Sequence, residues 1–369
     1  MDYDILIQQI SDSDDKAGQI IFQLVNEGIS VLPSILNAIR NGPSHSIIML
    51  VQVVLQLTDP KIKDEMLVLL DDKNRYIRSV AYRVLSKFKD QDVVEKFEEK
   101  LQSTKFSERD IILAATAIGE GNHFNSLPIL KKLLVRAVDT ESIYYSPDII
   151  LAIAHSMAKL GDNSALPYVL ELYENKDPVV ILKTIKQLSF FCGSGVFKVL
   201  KNALYNPIRE IREDALDGLF LIGTKSAAQQ IWNSCKDKEP DISQRAMYRL
   251  TQITGKKVET NYLVKEFDEW LDKNDIELNN KCCFRFGQPI DVPMLVKKIT
   301  EPKPEKILLE ELFVITGNRF GHDPEVWIYA KQPDYNVLVN SWLQENESRY
   351  ITGKLYKFGF LQDLSLMHD

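Results

Sequence analysis

Cysteine and histidine are scarce in this chain, with four and five in 369 residues. Cys192, Cys235, Cys282 and Cys283 include no C-x-x-C pair, and Cys282 and Cys283 are adjacent. Neither a zinc knuckle nor a disulfide framework is therefore expected. Of His45, His123, His155, His322 and His368, none is followed by Glu, and no H-x-x-x-H pair exists. That removes the spacings by which a helix usually offers two ligands to one metal. No G-x-S-x-G elbow is present, and no cysteine sits in a nucleophile context. Gly317-Asn-Arg-Phe-Gly321 lacks the Gly-Lys-Ser/Thr ending of a phosphate loop. The sequence thus predicts no catalytic residue, no metal site and no cofactor.

Long apolar runs are also missing. The longest, Ile47 to Leu57, is interrupted by Gln52 and Gln56 and falls short of the roughly 18 residues a membrane span needs. The start, Met1-Asp-Tyr-Asp, lacks the positive region of a signal peptide. A soluble cytoplasmic protein without membrane insertion is expected. Nor is there an excess of positive charge: the formal net charge is −7. Residues 1–72 carry 4 Lys/Arg against 11 Asp/Glu, so this end accounts for the whole imbalance. The one basic stretch is 181–212, where Lys183, Lys186, Lys198, Lys201, Arg209 and Arg212 face Glu210 alone.

What the sequence does contain is a repeat. Several segments of about 30 residues read as an apolar helix, a short Gly- or Asp-containing turn, and a second apolar helix. In the clearest copy Pro147 sits in a first turn, Ile150, Ala154, Met157 and Ala158 keep helical spacing, and Gly161 ends the helix. Residues 74–102, 107–135, 177–205 and 208–236 repeat the pattern, with 14–40 and 44–71 as weaker copies. The turn glycines Gly119, Gly161, Gly193 and Gly223 lie 42, 32 and 30 residues apart, with an insertion around Asp139 to Tyr145. One such hairpin cannot cover its own apolar stripe, so successive hairpins stack and share a core. The expected fold is all-α: about seven hairpins over residues 1–240, a helical region over 241–360 that closes the stack, and a tail over 361–369.

The closing region is internally duplicated. Leu250-Thr-Gln-Ile-Thr-Gly255, Trp270 and Phe284-Arg-Phe-Gly287 form one block. Leu312-Phe-Val-Ile-Thr-Gly317, Trp342 and Arg349-Tyr350-Ile-Thr-Gly353 form the other. These residues resemble bacterial HEAT-repeat proteins of the phycobilisome-lyase type. In that group a helix ending in Leu-Thr-Gly, a Phe-Gly-x-Asp turn and a later Trp close the array, as do Ile315-Thr-Gly-Asn-Arg-Phe320-Gly-His-Asp323 and Trp342 here. The stretch from Phe286 to Leu295 is also similar to HEAT-repeat proteins associated with type VI secretion clusters.

The resemblance implies a HEAT-like α-solenoid; stacked repeats with nothing that serves chemistry imply in turn a non-enzymatic protein-binding scaffold or adaptor. Its partner would be a secretion-system component or a toxin, the latter making the chain an immunity protein. The candidate contacts are Lys131, Lys132, Lys198 and Lys201 on second helices, together with Trp270 and Trp342 as anchors. For the two tryptophans, packing at the end of the stack is the competing assignment. The alternative function is nucleic-acid binding, in the manner of HEAT-like DNA glycosylases, through segment 181–212. A pI near 5.5 opposes it, since phosphate contacts need a concentrated basic surface.

Overall fold

A computed structural model describes residues 2–12, 14–41, 44–102, 107–139, 146–193, 195–255, 269–270, 282–301, 306–321 and 334–367. The expected insertion at 139–145 lies outside these residues apart from Asp139, and so do His322 and Asp323 of the Phe-Gly-x-Asp motif. The fold is an α-solenoid of HEAT-like two-helix repeats with a C-terminal capping region. Its contacts divide it into two units: residues 1–137 with 321–333, and residues 138–320 with 334–369. The division falls at Ala137, whereas the sequence rhythm changes only near residue 240.

Unit 1 begins with α1 (Tyr3–Asp12) and continues with hairpins of first and second helices. These are α2 (Asp14–Asn26) with α3 (Leu32–Asn41), α4 (Ser44–Gln56) with α5 (Ile62–Leu69), α6 (Arg75–Leu85) with α7 (Gln91–Gln102), and α8 (Glu108–Glu120) with α9 (Leu127–Val138). Consecutive first helices pack on one another, and α5 and α7 each pack on the first helix that follows. Short polar residues start the helices. Asn74 Oδ1 accepts from the Tyr76 amide and Ser107 Oγ from the Asp110 amide, caps that contribute about 1 kcal/mol each.

Unit 2 holds α10 (Pro147–Lys159) with α11 (Leu166–Glu171), α12 (Pro178–Leu188) with α13 (Val196–Ala203), α14 (Arg209–Ile222) with α15 (Lys225–Ser234), and α16 (Pro240–Thr254). Its first helices again form a continuous row. On α14 the residues Ile211, Ala215, Leu216 and Leu219 are fully buried, each large side chain contributing about 1.5–3 kcal/mol by leaving water. Gly218 interrupts that face because α13 comes close: an added Cβ would lie 2.9 Å from Leu200 Cδ2.

Two of the four turn glycines behave as the sequence suggests. Gly161 and Gly223 take φ of +81° and +66°, ending α10 and α14 in the left-handed region. At the other two turns the left-handed residue is a neighbour, Asn122 (φ +55°) and Gly195 (φ +85°). Gly119 lies inside α8.

The same arginine fork, half-buried at Arg78 and buried at Arg212, recurs in each unit. Arg78 Nε and Nη2 donate to the Asp110 carboxylate at 2.8 and 3.2 Å, while Nη1 donates to Asp72 O at 3.0 Å. Arg212 repeats this with Asp237 at 3.0 and 3.2 Å and with Asn206 O at 2.9 Å. Burial opposes the charge on Asp110, yet the hydrogen bonds from Arg78 and Ser107 hold it below the usual carboxylate range.

The capping region adds α17 (Val292–Lys297), α18 (Lys306–Thr316), α19 (Tyr335–Asn346) and two antiparallel hairpins. These are β1 (Phe284–Arg285) with β2 (Gln288–Pro289), and β3 (Tyr356–Lys357) with β4 (Phe360–Leu361). Both turn on a left-handed Phe-Gly pair, Phe286-Gly287 and Phe358-Gly359. The second aromatic–glycine turn is thus Phe358-Gly359, and not the Tyr350–Gly353 stretch chosen from sequence. Gly353 instead donates to Ile290 O at 2.7 Å and accepts from the Cys283 amide at 2.9 Å, adding a third segment beside the first hairpin.

Within the segment expected as a tail, described residues 361–367 make packing contacts. Leu364 is buried, and Gln362 Oε1 accepts from Asn163 Nδ2 at 3.0 Å.

Candidate protein-binding surface

The exposed side of the first-helix row in unit 2 is a charge network that neutralises itself. Arg209, Glu213 and Asp217 recur every fourth residue on α14, and Asp241, Arg245 and Arg249 do so on α16. The two rows interlock. Arg209 pairs with Asp241 at 2.8 Å, Arg245 with Glu213 at 3.2 Å and with Asp217 at 2.9 Å, and Arg249 with Asp217 at 2.8 Å. One repeat earlier, Lys183 Nζ of α12 meets Asp148 Oδ1 of α10 at 2.7 Å.

This arrangement dismantles the basic stretch seen in the sequence. Lys183, Arg209 and Arg212 are paired with carboxylates, and Lys186 lies close enough to Asp214 to favour its ionisation. Burial is the larger influence on Asp214 and pushes its carboxyl above the usual range. Only Lys198 and Lys201 remain of the six. Both are exposed on α13, and no carboxylate among the described residues forms an ion pair with either.

The local sequence explains their orientation. Val196, Leu200 and Ala203 recur at helical spacing and are buried, which turns Lys198, Lys201 and Asn202 outward. Tyr205 continues that stripe just past the helix, 70% exposed. In unit 1, α9 follows the same rule. Leu130, Leu133, Leu134 and Ala137 are buried, so Lys131 and Lys132 face outward beside Val135, which is 64% exposed. All four candidate lysines therefore occupy outer positions of second helices.

The tryptophans do not. Trp270 is buried edge-on to Phe284, with ring centroids 5.4 Å apart. Trp342 is buried between Phe320 at 5.7 Å and Tyr350 at 5.3 Å. Of the two assignments given to these tryptophans, burial agrees with packing inside the blocks. Each indole fills the space between a Trp-bearing segment and an aromatic of its own block, where it is inaccessible to a partner.

Sequence reasoning missed two buried cations. Arg285 Nε donates to Glu311 Oε1 at 2.5 Å, Nη1 to Phe284 O at 2.7 Å and Nη2 to Phe220 O at 2.8 Å. Lys357 Nζ donates to Ser189 O at 2.6 Å. Both side chains are almost fully buried. Burial pulls the Lys357 ammonium down to about 8, against weaker opposing effects from Cys192, Cys283 and Glu311. Burial likewise pushes the Cys192 thiol up to about 11 and Cys283 to about 12, far from the thiolate character a nucleophile needs.

The signal for the pair was present. Phe284-Arg-Phe-Gly287 and Tyr356-Lys-Phe-Gly359 are offset by 72 residues, as are Trp270 and Trp342.

Among the described residues no helix is by itself long and apolar enough to cross a membrane, and no group of three or more His, Cys, Asp or Glu is placed to hold a metal ion. No family model matches the chain, and no curated protein sequence does. Several solved structures are similar at low identity. The complex of CpcE and CpcF of phycocyanin lyase from Nostoc sp. PCC7120 is 16% identical, covers 65% of this chain and 93% of its own, and gives a TM-score of 0.40. The Escherichia coli protein YibA is 13% identical over 71% of this chain and 98% of its own, with a TM-score of 0.47. A designed armadillo repeat protein is 17% identical over 50% and 97%, with a TM-score of 0.31. No residue role carries over from structures this distant.

Proposed function

We propose that the chain is a non-enzymatic scaffold that binds another protein along the outer positions of its second helices. The supporting observation is the contrast between its two helix rows. Charges on the first helices of unit 2 satisfy one another, whereas Lys198 and Lys201 on α13 stand exposed and, among the described residues, form no ion pair. Exposed cations beside Asn202 and the 70% exposed Tyr205 suit an acidic protein segment, with the aromatic ring supplying apolar contact. Lys131 and Lys132 are likewise exposed beside Val135 on α9.

The similarity of the C-terminal motifs to secretion-associated repeat proteins makes a secretion-system component, or a toxin held by its immunity protein, the specific partner classes to try first. Nucleic-acid binding is disfavoured, because four of the six cations in 181–212 have carboxylates beside them.

The test is quantitative capture of an isolated candidate partner by the wild type and by Lys198→Glu/Lys201→Glu. The double variant should keep its far-UV circular dichroism and melting temperature while binding about tenfold or more weakly. Undiminished binding by a correctly folded double variant would remove α13 from the interface.

A further inference from the structure

We infer that the two C-terminal hairpins form a paired brace, each fixing one first helix of unit 2 by inserting a buried cation at that helix's open carbonyl end. The last carbonyls of a helix have no partner within it and carry the negative end of its dipole. In unit 2 those ends are met by residues far away in sequence. Lys357 donates to Ser189 O just beyond α12, across 168 residues. Arg285 donates to Phe220 O in the last turn of α14, across 65 residues, while the Phe284 amide takes Gly223 O at 2.8 Å.

The tips of the hairpins act on two further helices through their backbone. Phe286 and Gly287 amides donate to Gln252 O at 2.6 Å and Ile253 O at 2.8 Å, at the end of α16. Phe358 and Gly359 amides donate to Val314 O at 2.7 Å and Ile315 O at 2.8 Å, at the end of α18. The two sets correspond atom for atom, one on each Ile-Thr-Gly helix. Each hairpin thus joins the end of its own block's helix to the end of a repeat helix.

Glycines at two repeat-helix ends, Gly223 closing α14 and Gly161 closing α10, leave room for the hairpins. A Cβ on Gly223 would lie 2.1 Å from Arg285 Nη1, and one on Gly161 would lie 2.8 Å from the Phe360 ring. Arg285 and Lys357 are therefore positioning residues. They hold α14 and α12, the two helices on which α13 packs. That α13 is the binding helix rests on the proposal above; the brace itself does not.

Hydrogen–deuterium exchange with mass spectrometry, on the full chain, tests the brace directly. In the wild type the amides of 286–287 and 358–359 should exchange about a hundredfold or more slowly than in a free peptide, although they sit at hairpin tips. Lys357→Met should accelerate exchange about tenfold or more over 184–193 and leave 216–224 within about twofold, and Arg285→Met should do the reverse.

Because Arg285→Met strands the buried Glu311 carboxylate, Arg285→Met/Glu311→Leu gives the same reading without that penalty. Unprotected tips in the wild type, or even acceleration across unit 2 in both variants, would overturn the inference.

Discussion

Two phenylalanines in the same backbone state separate what the hairpin turn needs from what the core needs. Phe286 and Phe358 have φ of +52° and +51°, a region that suits Asn far better than a bulky side chain. Their amides make equivalent bonds, but their rings differ. Phe358 is buried against His155, Phe190 and Phe313, whereas Phe286 is 45% exposed with the Lys298 ammonium 4.8 Å from its ring centroid. Phe286→Asn should therefore raise the unfolding free energy measured in urea by about 1 kcal/mol of relieved strain. Phe358→Asn should lower stability by about 3 kcal/mol through the lost ring contacts. Lys357 carries a pH signature with a definite sign. Its folded pKa of about 8 lies below the ordinary 10.5, so between those values the unfolded chain binds more protons. Stability should rise with pH across that window, by up to about 3 kcal/mol. Cys192 and Cys283 face the same ammonium and titrate higher when folded, which opposes the rise above about pH 9. Arg285 and Glu311 also face the ammonium. The Lys357 contribution is therefore read as wild type minus Lys357→Met in urea titrations from pH 7.5 to 10.5. A flat difference would contradict the buried cation.

At the level of helices and turns, the sequence revealed what is set locally. Pro147 marks a helix start, and Gly161, Gly255 and Gly317 mark ends, because first-turn and left-handed residues act within a few positions. Gly119 and Gly193 miss the left-handed residue by three and two positions, since Asn122 and Gly195 take that role. The hairpins were harder to read. Each strand is only two residues long and is fixed by helix carbonyls tens of residues away, which no local pattern encodes. Gly223 gives a measurable consequence. Gly28 shares its conformation (φ +69°) but has nothing within 4 Å of an added Cβ, so Gly28→Ala should cost about 1 kcal/mol. Gly223→Ala should cost at least about twice as much, because the new methyl collides with the Arg285 guanidinium. A double-mutant cycle with Arg285→Met should recover most of that excess.

Across the chain, the apolar repeat was legible and the distribution of usable charge was not. Buried stripes such as Val196, Leu200 and Ala203 follow from periodicity alone. Whether Lys183 or Lys198 is available to a partner depends on carboxylates such as Asp148, which lies 35 residues from the lysine it pairs with. The tryptophans were ambiguous for the same reason, since Phe284 and Tyr350 cover them only after the blocks have folded. The long reach of the two hairpins also bears on biogenesis. Asn163 meets Gln362 across 199 residues, and Lys357 meets Ser189 across 168. During synthesis, α12 and α14 must leave the ribosome with their final carbonyls still hydrated, and they reach their native termini only when codons far downstream have been read. A ribosome stalled short of residue 357 would hold a row of helices assembled but not yet fastened, a natural point for a chaperone or a protease to engage the nascent chain.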